Sequence, residues 1–183
     1  MSKIIIVTGF LATLKTTISK RLATDLKINS THKDDIKEIL ADTIGFNNRE
    51  ENLRLSKASF ALIHDDMRKH VLRGCDLIIE SNFKSYELEQ LLHTLTKTNA
   101  NVMIVSCMGQ IDVLYTRYLE RQAQRHHAHL SAGTMSKELF ISSYETYHIP
   151  YTPYPKIDLD TTYFNDETYQ TLYQHILNFL TAS

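Results

Sequence analysis

Lys3-Ile-Ile-Ile-Val-Thr-Gly-Phe-Leu-Ala-Thr-Leu-Lys-Thr-Thr17 is the stretch on which the fold turns. Ile4 to Val7 form an apolar, β-branched run without alternation, the pattern of a strand covered on both faces in a parallel sheet. A segment with one glycine follows, and Ile18 to Leu26 then read as a helix. Working outward, Leu77-Ile78-Ile79 and Val102-Met103-Ile104-Val105 are further continuous runs, and weaker strands are expected from Ile28 to Thr31 and from Lys156 to Leu159. Between them Phe60, Ile63, Met67 and Val71 recur at spacings of three and four, as do Ile111, Leu114, Tyr115 and Tyr118. Tyr169, Leu172, Tyr173, Ile176, Leu177 and Leu180 form the apolar stripe of a last helix, with Asp166 and Glu167 in its first turn. Strand and helix alternate from end to end, which predicts an α/β fold with a mostly parallel five-stranded sheet.

With 183 residues, 43% of them hydrophobic, the chain is long enough for one domain with a real core, read here as a single unit over 1–183. Three prolines, all between Ile149 and Lys156, mark a connecting loop, and there is no internal repeat. A net charge of −1 gives no global field toward nucleic acid or anionic membrane, so a polyanion would have to be met locally. Cys75 and Cys107 are too few for a disulfide framework or a cysteine-based zinc site, and the N-terminal apolar run is too short for a secretory core or a membrane span. A cytoplasmic location is the expectation.

Gly9-Phe10-Leu11-Ala12-Thr13-Leu14-Lys15-Thr16-Thr17 resembles the P-loop pattern G-x-x-x-x-G-K-[ST], in the strand-to-helix setting that the pattern requires, except that Leu14 stands in place of the second glycine. A phosphate cradle needs backbone N–H groups at a helix N-terminus, a lysine for the β and γ phosphates and a hydroxyl for Mg²⁺. Lys15 and Thr16 supply the last two, and Gly9, Ala12, Thr13, Leu14, Lys15, Thr16 and Thr17 are the candidate nucleotide-binding residues. The plain alternative is a solvated lysine in the first turn of a helix. A cation there has the wrong sign, costing a few tenths up to about 1 kcal/mol unless an anion is present. Leu14 weighs against nucleotide binding: if φ is positive there, leucine costs about 1–2 kcal/mol, and its side chain can crowd the nucleotide.

Beyond this loop the chain resembles the small P-loop kinases of the adenylate-kinase-like group, including the predicted kinases described as AAA-type ATP-binding proteins. The likeness rests on the P-loop, on His32-Lys-Asp-Asp-Ile-Lys-Glu38, on Leu77-Ile-Ile-Glu-Ser-Asn-Phe83 and on the arginines from Arg117 to Arg125, and spans about residues 3 to 180. It implies a three-layer P-loop NTPase fold with a helical lid at about 119–136, and ATP and Mg²⁺ as cofactors. It further implies Asp34 as the acid that accepts the proton of a substrate hydroxyl, Glu80 with Thr16 at Mg²⁺, and Lys37 and Asn82 as substrate contacts. Asp34 or Asp35 could instead cap the helix expected from Ile36 to Leu40; Asp34 is taken as the base and Asp35 as the helix-start acid.

Arg117, Arg121 and Arg125 step by four, so they would stack along one helix face, an arrangement that repels itself unless an anion lies against it or distant acids pair with it. The resemblance makes Arg121 and Arg125, with Lys15, catalytic groups for the transferred phosphoryl. His126, His127 and His129 follow without a neighbouring acid or cysteine and are read as lid residues rather than zinc ligands. Tyr151, Tyr154 and Tyr163 could stack on a base, and Asp160-Thr161-Thr162 would lie near an adenine by analogy of fold.

The first expectation is therefore a phosphotransferase moving the γ-phosphoryl of ATP to a hydroxyl of a small molecule, with no membrane partner. A second is a nucleotide-binding module that has lost turnover through Leu14, in which Leu14→Gly would tighten binding. A third is a kinase of nucleic-acid 5′ ends, for which Lys33, Lys37, Arg49 and Arg54 are the local basic candidates.

Overall fold

A computed structural model describes residues 1–130 and 133–182. Among these the chain forms five strands, β1 (Lys3–Gly9), β2 (Asn29–His32), β3 (Leu77–Ser81), β4 (Asn101–Met108) and β5 (Lys156–Asp160). Seven α-helices accompany them: α1 (Lys15–Leu26), α2 (Lys33–Ile44), α3 (Arg49–Arg73), α4 (Ser85–Leu95), α5 (Ile111–Gln122), α6 (Lys137–Thr146) and α7 (Asp166–Thr181). The sheet is parallel throughout, in the order β2-β3-β1-β4-β5. The five expected strands are all present, β2 one residue later than expected. Residues 131 and 132, within the expected lid, and residue 183 lie outside the described residues.

The continuous apolar runs resolve into two faces because side chains alternate along a strand. Ile4, Ile6, Leu77, Ile79, Val102 and Ile104 pack on one side against α3 and α4 through Ile63, Met67, Leu88 and Leu91. Ile5, Val7, Ile78, Met103 and Val105 pack on the other against α1 and α7 through Ile18, Leu22, Tyr169 and Ile176. This is the three-layer α/β arrangement.

Sequence analysis did not single out α4 or α6. The α4 signal is present, since Leu88, Leu91, Leu92 and Leu95 share a helical face and are buried, and Glu87 Oε2 accepts the Lys84 backbone N–H at 3.0 Å, half of a capping box. For α6 the signal is Ser136, whose hydroxyl accepts the Leu139 N–H at 3.3 Å. The helix expected from Ile36 begins three residues earlier, at Lys33, with His32 at the cap. Asp34 and Asp35 thus lie in the first turn, and neither caps it.

Two contacts hold the end of β1 in place. Phe10 enters an aromatic cluster with Phe140, Tyr144 and Tyr147, at centroid distances of 5.1, 5.4 and 5.8 Å, and Tyr147 Oη lies 3.0 Å from Thr8 Oγ1. Gly9 passes so near β4 that a Cβ on it would meet the Cys107 carbonyl oxygen at 2.3 Å and Thr13 Oγ1 at 2.8 Å. Gly9→Ala should therefore destabilise the protein by about 1–3 kcal/mol, the usual cost of overpacking, as measured by urea unfolding. An unchanged midpoint would show that β1 and β4 can separate at no cost.

Candidate active site

Between β1 and α1 the backbone turns through two left-handed residues without glycine, Ala12 (φ 61°) and Leu14 (φ 57°). Leu14 is the N-cap of α1, where no side chain caps the helix and no acid occupies the first turn, so its amides are left for an anion. The Leu14 side chain is half-buried against the core on the α1 side of the sheet and also borders a cavity with Lys15, Thr16, Arg117 and Arg121. Lys15 is buried; its Nζ donates to the Phe10 carbonyl at 3.2 Å, a bond that Thr13 Oγ1 shares at 2.9 Å.

Glu80 lies in register with Val7 of β1 and His32 of β2, at the carboxyl end of the sheet. The Thr16 hydroxyl donates to Glu80 Oε2 at 3.0 Å, so P-loop and β3 meet at one pair of oxygens. Burial raises the Glu80 carboxyl above its ordinary value, opposed by the Lys15 charge and reinforced by Asp34.

A cavity of about 330 Å³ opens beside these groups, lined by Lys15, Thr16, Asp34, Lys37, Asn82, Arg121 and Arg125 among others. Asp34 is half-buried and has no ion-pair partner within 4 Å among the described residues, while Asp35 is taken up by Lys20 at 2.8 Å. Arg125 is held below its usual value by burial and then by Arg121, with Asp34 opposing; Lys37 is lowered by burial, again with Asp34 opposing. One carboxylate thus stands among several cations.

The three arginines do not share a helix face. Helix α5 ends at Gln122, so Arg125 lies beyond it, and Arg121 and Arg125 line the cavity of about 330 Å³. Arg117 and Arg121, four apart on α5, border the second cavity, beside Leu14, with Ala12, Lys15 and Thr16, and Arg117 Nη2 donates to the Thr162 carbonyl at 3.1 Å. The segment after α5 is fastened to α2 and α3. His126 Nε2 lies 3.0 Å from Asp42 Oδ1, His129 Nε2 lies 2.9 Å from Glu38 Oε1, and the Ala128 carbonyl accepts from Lys37 Nζ and Asn52 Nδ2, both at 2.9 Å. The acids missing from the sequence neighbourhood of the histidines therefore come from α2, whose spacing of four sets Glu38 and Asp42 on one face. His126 Nδ1 accepts the Ala128 N–H at 3.2 Å, so Nε2 carries the proton given to Asp42, an arrangement suited to a hydrogen bond rather than to a metal on Nε2.

No protein-family model matches the sequence, and no curated protein does. Among solved structures, a proposed kinase of Chloroflexus aurantiacus is similar over 97% of both chains, with 28% identity and a TM-score of 0.82. The chain has a P-loop kinase fold. A sugar kinase of Janibacter sp. shares it at 18% identity and a TM-score of 0.63, over 98% of this chain and 95% of that one. So does Kti12 of Chaetomium thermophilum, solved with ADP-AlF3, at 14% identity and a TM-score of 0.64, over 98% of this chain and all of the other.

Within this P-loop kinase fold most of the sequence-derived candidates lie at one cavity, and some do not. Tyr151 and Tyr163 are exposed and Tyr154 packs against the core; none lines the cavity. Lys33 is no open basic site, because its Nζ is buried in an ion pair with Glu87 at 2.5 Å, and Arg54 pairs with Glu50 on the surface. Lys84, Glu87, Asn52 and Tyr118 line the cavity without having been expected there. Their signal is tertiary, apart from the capping geometry that marks Glu87.

The left-handed backbone at Leu14 is paired with partial burial of its side chain in the core, so strain and packing offset each other in the folded chain. Leu14→Gly relieves about 1–2 kcal/mol of strain but loses a comparable burial, so unfolding free energy should move by less than about 1 kcal/mol. ADP affinity by calorimetry should stay within about threefold, since glycine follows the same left-handed path and loses only the packing of the leucine side chain. A tenfold gain would instead show that the loop is reshaped by nucleotide. For Glu80, a carboxyl raised above its ordinary 4.5 contributes stability below that value and loses it as pH rises through the raised one. Glu80→Gln should accordingly be the more stable protein at about pH 8, with the advantage vanishing near pH 4.5. A variant weaker than wild type at pH 8 would mean that attraction to Lys15 outweighs burial.

Proposed function

We propose that the protein is an ATP-dependent kinase whose whole chain works as one domain and whose segment at about 119–136 closes the cavity as a lid. The observation that carries this is Asp34, a half-buried carboxylate without an ion-pair partner among the described residues, in the same cavity as Lys15, Thr16, Arg121 and Arg125. The likeness to a proposed kinase at 28% identity over the full chain supports the same reading.

In this reading the first-turn amides of α1, with Gly9, Ala12, Thr13, Leu14 and Thr17 shaping the loop, hold the β and γ phosphates, and Lys15 turns from the Phe10 carbonyl to them. The acceptor hydroxyl lies at Asp34, which takes its proton as the new oxygen–phosphorus bond forms and the bond to the β-phosphate oxygen breaks, leaving ADP. Arg121 and Arg125 neutralise charge on the phosphoryl in transfer, and Lys37 and Asn82 border the acceptor.

Thr16 and Glu80 fit Mg²⁺, being a hydroxyl and a carboxylate already paired, both hard oxygen donors, with Glu80 short of positive charge. Bound there, the ion would neutralise phosphate charge. The rest of the site prepares for it: Thr16 keeps the carboxylate aimed at the loop, and Lys15 limits its cost of burial.

Asp34→Asn should slow single-turnover transfer from γ-labelled ATP to a pool of small alcohols by roughly a hundredfold or more, with ADP affinity unchanged. Equal rates would remove Asp34 as the base. Nucleotide binding without transfer in the wild-type protein would instead mark a binding module.

A further inference from the structure

Resting on the kinase reading, we propose that the acceptor is itself a small anion, an alcohol bearing a carboxylate or a phosphate, whose charge is met by Lys37, Arg49 and Lys84. The first ground is charge. The chain carries a net −1, yet seven lysine and arginine side chains border this one cavity of about 330 Å³, against the carboxylates of Asp34 and Glu87. ATP accounts for Lys15, Arg121 and Arg125, and Glu87 neutralises Lys33 at 2.5 Å. Lys37, Arg49 and Lys84 are left over on the acceptor side, against Asp34 alone. Among the described residues none of these three has a carboxylate within 4 Å: Lys37 donates to a neutral carbonyl, Lys84 lies over the Tyr86 ring, and Arg49 has no hydrogen-bond partner.

The second ground is where these cations stand. Helices α1, α2 and α3 begin with Lys15, Lys33 and Arg49, and Lys84 caps α4, so four helix N-termini, each headed by a cation, converge on the same cavity. The first turns of α2, α3 and α4 carry acids of their own, Asp34 and Asp35, Glu50 and Glu51, and Glu87, so what an anion would meet is the unpaired side chains of Lys37, Arg49 and Lys84 rather than bare helix ends. The nucleotide phosphates meet α1, and the Arg49 and Lys84 side chains remain for the acceptor. Asn82, Asn52 and Ser56 lie beside them, suited to hydroxyls.

The occupant is small. At about 330 Å³ the cavity is near the lower end of ligand pockets, and Ala128 and His129, in the segment fastened to α2, border it. The acceptor's anionic group takes no part in the transfer, which still moves one proton to Asp34 and one phosphoryl to the hydroxyl.

The test uses the full chain saturated with Mg²⁺ and a non-hydrolysable ATP analogue, so that the γ-phosphate position is filled. Inorganic phosphate, titrated by calorimetry, should bind, and Arg49→Gln and Lys84→Gln should each weaken it roughly tenfold, as expected for loss of a charge-assisted hydrogen bond. Both side chains are exposed, so the variants should fold, which an unchanged analogue affinity checks. In transfer assays with ATP, gluconate and glycerol phosphate, which separate carboxylate from phosphate, should exceed the neutral glucitol in kcat/KM, and the variants should raise KM for the anions with little change in kcat. Absent phosphate binding, binding indifferent to both variants, glucitol as the equal of the anions, or a 5′-hydroxyl oligonucleotide as the best acceptor would each overturn the proposal. Transfer to glucitol without phosphate binding leaves the kinase reading standing and removes the anionic acceptor. Variant-sensitive phosphate binding without transfer to any alcohol retains the anion site and removes the kinase.

Discussion

The carboxyl edge of the sheet buries ionised groups, and the rest of the site depends on how each is compensated. Taking a charge from water costs several kcal/mol unless a partner is supplied. Lys33 and Glu87 compensate each other directly, at 2.5 Å, and tie the start of α2 to the start of α4. Lys15 and Glu80 are compensated only in part: the lysine has a carbonyl, the carboxylate a hydroxyl, and the two feel each other's charge. A fully satisfied network rigidifies a core, whereas a half-satisfied one is poised for a ligand that brings the missing charge. Triphosphate for Lys15 and a cation for Glu80 are complementary to what the protein leaves undone.

Much of this architecture is legible in the sequence because it is local. An apolar run too short for a helix, followed by a loop and a helical segment, marks β1 and α1, and the same period repeats through β3, β4 and α7. Helices α4 and α6 are harder to read for different reasons. In α4 the apolar positions Leu88, Leu91, Leu92 and Leu95 are strong, but Lys84 is an unusual cap. In α6 the single buried residue is Phe140, so no stripe announces it. Its role is to carry Phe140 and Tyr144 to Phe10, a contact across more than a hundred residues that local spacing does not encode.

The site divides in the same way. Lys15, Thr16 and Asp34 follow a strand and Glu80 lies near the end of one, each within a recognisable stretch, and the register of β1, β2 and β3 places them together. The partners of the segment after α5 come from elsewhere. Glu38 and Asp42 meet His129 and His126 only because α2 lies across the cavity, and Arg125 reaches Asp34's side because α5 stops at Gln122 rather than running on. Helical spacing carried through Arg125 thus gives the wrong geometry for a residue that still reaches the same cavity.

The loop without its second glycine shows how a motif and a conformation can part. What phosphate recognition uses is the path of the backbone, and glycine is favoured there because it follows that path without strain. Ala12 and Leu14 follow it at positive φ, with Leu14 half-buried against the core on that side of the sheet, and Gly9 retained where a close approach to Cys107 leaves no room for a side chain. The indispensable glycine is the one fixed by contact, and the dispensable one is fixed only by dihedral preference. Strain at Leu14 is therefore a charge on stability, balanced by local packing, and it gives no reason by itself for a loss of turnover.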